Sequence, residues 1–78
     1  MRGRAPSYDF IEPMILNILK ESRVSMSTLA INYKVNEAAR KPINLNVIRN
    51  HLIFLVKNKK ILENLDKEND ITYYKLIL

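Results

Sequence analysis

The sequence predicts a small, mostly helical α+β domain: three helices followed by a C-terminal two-stranded β-hairpin. Apolar residues recur at helical spacing in three segments between Asp9 and Asn58. From Lys60 onward the period shortens towards two, as it does in half-buried strands. The length of 78 residues suits one modest core and leaves no room for a second. Residues 1–8 are expected to form a flexible basic arm and residues 9–78 a single domain.

The arm, MRGRAPS and Tyr8, contains Gly3 and Pro6, which discourage regular structure, while Arg2 and Arg4 have nothing nearby to pair with. Asp9 followed three residues later by Glu12 has the spacing of a capping box, and Pro13 then falls in a first turn, where its missing N–H costs little. The helix that follows runs to about Ser22, with Ile11, Met14, Ile15 and Ile18 on one face and Leu19 at its border. Val24 and Ser25 read as a short extended link. Ser25 or Ser27 can cap a second helix over Ser27 to Arg40, with Thr28, Ile31, Val35, Ala38 and Ala39 along one side. Pro42 stops it, because the residue before a proline is pushed out of the helical region. Asn44 is a good cap for a third helix from Leu45 to about Asn58, with Leu45, Ile48, Leu52, Leu55 and Val56 on its inner face. KILENL and ITYYKLIL are the two strands, joined by the polar turn DKEND.

Composition removes most catalytic chemistry. There is no Cys, one His and one Gly, so thiolate and His-rich metal sites, G-x-G-x-x-G loops and Walker A loops are all excluded. No enzyme is expected, and no cofactor or metal. The charge is unevenly spread: Met1 to Lys60 holds eleven basic and four acidic residues, whereas Ile61 to Leu78 holds two and four. A small basic chain without a cofactor motif points to a polyanion as partner. The apolar runs are too short for a membrane span or a signal peptide, and no helix is basic and amphipathic enough for a membrane surface, so a cytoplasmic protein with no membrane partner is expected.

Three helices and a hairpin in a small basic chain resemble a winged helix-turn-helix DNA-binding domain. The resemblance is concentrated in NLNVIRNHLIFLVKNKKI, Asn44 to Ile61, where Ile48, His51, Leu52, Leu55 and Ile61 stand at the positions of a recognition helix and the start of the first wing strand. YYKL, Tyr73 to Leu76, resembles the second wing strand. KPIN, Lys41 to Asn44, is similar to the turn in small archaeal or archaeal-virus transcriptional regulators. Two departures stand out. The family usually has Gly just after the recognition helix, where this chain has Lys59, and Asn58 is the residue expected to take the left-handed turn. The wing tip carries Asp66, Glu68 and Asp70 against Lys67, which should repel phosphates.

The resemblance implies a double-stranded DNA-binding protein and transcriptional regulator whose third helix enters the major groove. Asn44, Asn46, Val47, Arg49 and Asn50 are the expected base readers: Asn pairs with adenine, Arg with guanine, and an aliphatic side chain touches a thymine methyl. The plainer alternative makes Asn44 and Asn46 helix caps and Asn50 a solvated surface residue. Ser27, Thr28, Arg40, Lys41, Lys57, Arg2 and Arg4 are the expected phosphate contacts. Taken singly, each basic residue also suits a merely soluble surface. His51 has no second His or Cys to make a ligand set.

Ile53 and Phe54 lie away from the inner face of helix three, and Leu16 is off-face in helix one. The arm, the terminal strand or a partner chain must cover them, and a homodimer on a two-fold site is the working expectation. Tyr8, Phe10 and Leu16, or Ile71 to Leu78, are its candidate surfaces. The rival reading, a winged-helix protein–protein adaptor within a larger complex, draws on the acidic wing and the same apolar residues. RNA binding is disfavoured, since Tyr73 and Tyr74 point to opposite faces of their strand and form no stacking platform.

Overall fold

The computed structural model describes residues 10–77, so the N-terminal arm, Arg2, Arg4, Tyr8 and the proposed Asp9 cap lie outside the described residues. The elements run α1 (Ile11–Ser22), β1 (Met26–Ser27), α2 (Thr28–Ala39), α3 (Leu45–Lys57), β2 (Ile61–Asp66) and β3 (Ile71–Leu76). Phe10 is the residue before α1, and its side chain makes no capping bond. Glu12 is engaged elsewhere, in an ion pair with Lys60 at 3.2 Å that ties the first turn of α1 to the chain leaving α3. Of the two serines that could cap α2, Ser27 does so: its Oγ accepts from the Ala30 N–H at 3.2 Å. Asn44 caps α3 through Oδ1, which accepts from the Asn46 N–H at 2.7 Å.

The inner faces meet in one core. Ile11, Ile15, Leu19, Ile31, Val35, Ile48, Leu52, Leu55 and Ile61 are all buried, together with Met26, Ile43 and Tyr74. The buried stripe of α1 runs through Leu19, with Met14 and Ile18 only half-buried, so it is rotated slightly from the periodicity reading. Leu16 is not left over; it packs against the core from the side. On α2, Leu29 and Tyr33 are exposed, and so is Ala38, which the sequence placed on the inner side.

The sheet has three strands, not two. Met26 and Ser27, between the expected link of Val24 and Ser25 and the body of α2, form β1, which pairs antiparallel with β3 through Met26↔Tyr74 and Ser27↔Tyr73. β2 pairs along the other edge of β3, from Ile61↔Leu76 to Asp66↔Ile71, in the order β1-β3-β2. Two residues are too few to show a period in the sequence, and the strand exists because the buried Met26 side chain and the β3 ladder hold it. Alternation along the strands puts Ile61, Leu76, Tyr74 and Met26 on the core side. Leu62, paired with Lys75, is exposed on the opposite face of the sheet, and Leu65, paired with Thr72 near the tip of the hairpin, is exposed as well.

The three helices end on Arg23, Arg40 and Lys59, each with φ of 60°. The residue leaving α3 in the left-handed conformation is therefore Lys59 and not Asn58, which keeps φ −90°. Hydrogen bonding explains the choice. The Lys60 N–H reaches the Leu55 carbonyl at 2.9 Å and the Lys59 N–H reaches the Val56 carbonyl at 3.0 Å, a Schellman pair whose geometry requires its left-handed residue at position 59. Asn58 instead closes the last turn, donating from its side-chain amide to the Phe54 carbonyl at 2.8 Å. α2 likewise ends one residue ahead of the position Pro42 dictates, because Arg40 turns left-handed and the N–H groups of Arg40 and Lys41 both reach the Asn36 carbonyl.

Candidate nucleic-acid interface

The site is built around the turn from α2 to α3, and two side chains hold that turn. Asn36 Oδ1 accepts from the Ile43 N–H at 2.7 Å, and Asn32 Nδ2 donates to the Ile43 carbonyl at 3.1 Å. The two asparagines are one helical turn apart on α2 and are bonded to each other at 3.4 Å. Both polar groups of Ile43 are thereby satisfied while its side chain is buried in the core, 5% exposed. Nothing in the sequence marks this clamp. Two Asn residues four apart on a helix carry no signal until the chain returns beside them.

Anchored in this way, α3 buries Ile48, Leu52 and Leu55 and presents Asn46, Arg49, Asn50, Ile53 and Lys57 outward. Asn46, Arg49 and Asn50 are thus brought together on one exposed face. Asn44 is exposed at the head of the helix, with Oδ1 committed to the cap. Val47 is half-buried and packs against the core. His51 is half-buried too, in a shallow depression of about 320 Å³ shared with Glu12, Asn50 and Phe54.

The N-terminus of α2 comes close to this face. Ser27, Thr28 and Leu29 share a cleft of about 380 Å³ with Arg49 and Ile53 of α3 and with Asp70, Ile71, Thr72 and Tyr74 at the start of the wing's second strand. Backbone N–H groups in the first turn of a helix have no intrahelical partner and favour anions. The Ser27 hydroxyl keeps its proton free to donate while its oxygen caps the helix. The other expected phosphate contacts are more scattered. Arg40 is exposed at the end of α2, Lys57 is exposed in the last turn of α3, and Lys41 holds its ammonium 5.3 Å from the Phe10 ring centroid.

The wing tip is a polar turn organised by one carboxylate. Asp66 Oδ1 accepts from the N–H groups of Glu68 at 3.1 Å and Asn69 at 3.4 Å, and Oδ2 accepts from the Asn69 side-chain amide at 2.9 Å. These bonds, the side-chain amide of Asn69 foremost, hold its carboxyl below the ordinary 3.8. Asp70 takes a left-handed φ of 54° to re-enter β3. Glu68 and Asp70 stay exposed, so the tip is acidic in space as well as in sequence.

Comparison with solved structures fixes the architecture. A structure described as "The complex structure of hsRosR-S4 (vng0258/RosR-S4)" matches 95% of this chain with a TM-score of 0.75 and 25% sequence identity. The fold is a winged helix. In its terms α2 and α3 form the helix-turn-helix, and β2 and β3 are the wing, with β1 completing the sheet. The chain spans 60% of the length of that RosR protein. No protein-family model matches this sequence, and no curated protein does. Among the described residues, no helix is long and apolar enough to cross a membrane.

Proposed function

We propose that this winged helix is a double-stranded DNA-binding transcriptional regulator that lays α3 in the major groove. The observation that carries the reading is the exposed polar face of α3, where Asn46, Arg49 and Asn50 stand together and Arg49 shares a cleft with the N-terminus of α2, on a fold shared with RosR. Arg49 suits guanine O6 and N7, and Asn50 suits adenine N6 and N7. Asn46 lies at the groove-entering end of the helix, with its side chain exposed. Asn44 and Val47 complete the base-reading set at its margin. Backbone phosphates fall to Ser27 and Thr28 on one flank and to Arg40, Lys41 and Lys57 around the helix ends, with Arg2 and Arg4 following the duplex beyond the groove. The protein works in the cytoplasm, as a homodimer whose two recognition helices address a two-fold site.

The test is a fluorescence-anisotropy titration of labelled duplexes, random and own-promoter, at low and physiological salt. Micromolar or tighter binding that weakens steeply with salt is expected, with preference for the promoter. Absence of binding to either duplex at low salt overturns the reading.

A protein-adaptor role has one observation in its favour. Phe54, 52% exposed on α3, and Leu62 and Leu65 on the wing are exposed apolar side chains, Leu65 next to the acidic tip. An adaptor predicts that duplex binding is absent while these side chains are needed for assembly.

A further inference from the structure

The groove-facing surface holds a feature that phosphate and polar base contacts leave unused. Ile53, 62% exposed, continues the outward stripe of α3, so that Asn46, Arg49, Asn50 and Ile53 stand at positions i, i+3, i+4 and i+7. A helix lying in a major groove presents that set of positions to base edges. Across the same cleft stand Leu29, 69% exposed at the start of α2, and Ile71, 37% exposed at the start of β3. These side chains come from three separate elements, and none contributes to the buried core.

We propose that Ile53, with Leu29 at its side, is a specificity determinant that reads thymine through its 5-methyl group. The inference rests on the DNA-binding reading above and names what that surface selects. The only apolar group that a B-form major groove offers is the thymine methyl, and an aliphatic side chain recognises it by excluding water from both. Backbone phosphate is a poor occupant for this part of the cleft. Among the described residues Arg49 is the one cation lining it, and the Asp70 carboxylate, which lines it too, repels phosphate at the wing side. Val47, the aliphatic residue among the expected base readers, is half-buried against the core, whereas Ile53 is exposed. The DNA site therefore carries thymine opposite the third turn of α3, next to the base pairs that Arg49 and Asn50 contact.

The probe is a duplex enriched from a random 20-base-pair library by the full chain, together with the same duplex carrying uracil in place of every thymine. Uracil keeps each Watson–Crick and groove hydrogen bond and lacks only the methyl. The wild-type chain is expected to bind the thymine duplex more tightly, by about fourfold for each methyl it fully buries. Ile53→Ala is expected to shrink the thymine-to-uracil ratio towards one, Leu29→Ala to shrink it in part, and Tyr33→Ala, an exposed α2 residue outside the cleft, to leave it unchanged. Because Ile53 and Leu29 are surface residues, the variants keep their fold, and their thermal unfolding checks this. Equal affinity of the wild type for both duplexes overturns the inference, as does a uracil penalty that survives in full in Ile53→Ala. So does an Ile53→Ala chain with unaltered duplex discrimination and lost self-association, which would assign the patch to a second copy of the chain. Failure to enrich any duplex is a different result and overturns the DNA-binding reading itself.

Discussion

Lys59 stands with φ of 60° at the left-handed position that closes α3, where a Cβ crowds the following carbonyl and glycine has no such penalty. The chain has a single Gly, at position 3, so every left-handed turn among its described residues is made by a residue with a side chain. Lys59→Gly relieves the strain but frees the unfolded backbone, two effects of opposite sign. The expected net is a stabilisation of about 0.5–1 kcal/mol, read from the urea midpoint at unchanged m-value. Asp66 offers a second test at this scale. Its carboxylate accepts three hydrogen bonds in the wing turn, so its folded-state pKa lies below the unfolded value. Such a group contributes stability that is present above the unfolded pKa and is lost as the pH falls through the depressed folded one. An NMR titration is expected to place the Asp66 carboxyl below 3.8, and in Asp66→Ala the loss of stability on acidification becomes shallower over that range. An Asp66 titrating at or above 3.8 would remove the turn as a source of acid sensitivity.

At the scale of elements, the α2–α3 turn couples fold to function, because it sets where α3 points. Asn36→Ala leaves the Ile43 N–H without its 2.7 Å acceptor in a half-buried place. The expected cost is about 1–3 kcal/mol in stability, with a smaller loss for Asn32→Ala, which frees the Ile43 carbonyl and gives up the long 3.4 Å bond from the Asn36 amide. Both substitutions are also expected to weaken duplex binding without touching the duplex, since the orientation of α3 loosens. Differential scanning calorimetry and the anisotropy titration check the two effects separately. By contrast, Arg49→Ala and Asn50→Ala are expected to leave stability within about 0.5 kcal/mol, both being exposed, and to cost about 1–3 kcal/mol of discrimination at one base pair each. The helices themselves were legible in the sequence, because the apolar spacing of Ile48, Leu52 and Leu55 and the capping chemistry of Ser27 and Asn44 are local signals. β1, the Asn32–Asn36 clamp and the left-handed Lys59 were not. Each depends on a partner distant in the chain or on where a helix makes its last hydrogen bond, and neither leaves a period or a motif. Among the proposed site residues, helical spacing places Asn46, Val47 and Asn50 outward with Arg49 flanking, and the structure exposes Asn46, Arg49 and Asn50 but not Val47. The half-burial of Val47 and the exposure of Ile53 in a three-element cleft needed the tertiary fold.

Across the whole molecule, charge and shape divide the labour of binding. The first sixty residues hold the positive charge and the last eighteen are acidic on balance, so the DNA-binding proposal expects attraction to a duplex from the first sixty residues and repulsion of phosphate at the wing tip. On the proposed reading, cations outside α3 would supply affinity for any duplex and α3 the selectivity, which makes the two separable. Each phosphate that a cation neutralises adds about 0.9 to the steepness with which log K falls against log salt. If Arg2 and Arg4 each contact one phosphate, the double substitution Arg2→Ala, Arg4→Ala is expected to flatten that slope by about 2 and to weaken all duplexes alike, with base preference intact. Arg49→Ala is expected to do something different: a slope change of at most about 1, and a selective loss at the base pair it reads. Titrations of both variants on the enriched duplex and on a scrambled one, at four or more salt concentrations, separate the two patterns. Were the arm variant to lose selectivity, or the α3 variant to lose affinity uniformly, the division between a positioning body and a reading helix would be wrong. The preference would then have to come from the deformability of the DNA rather than from its base edges.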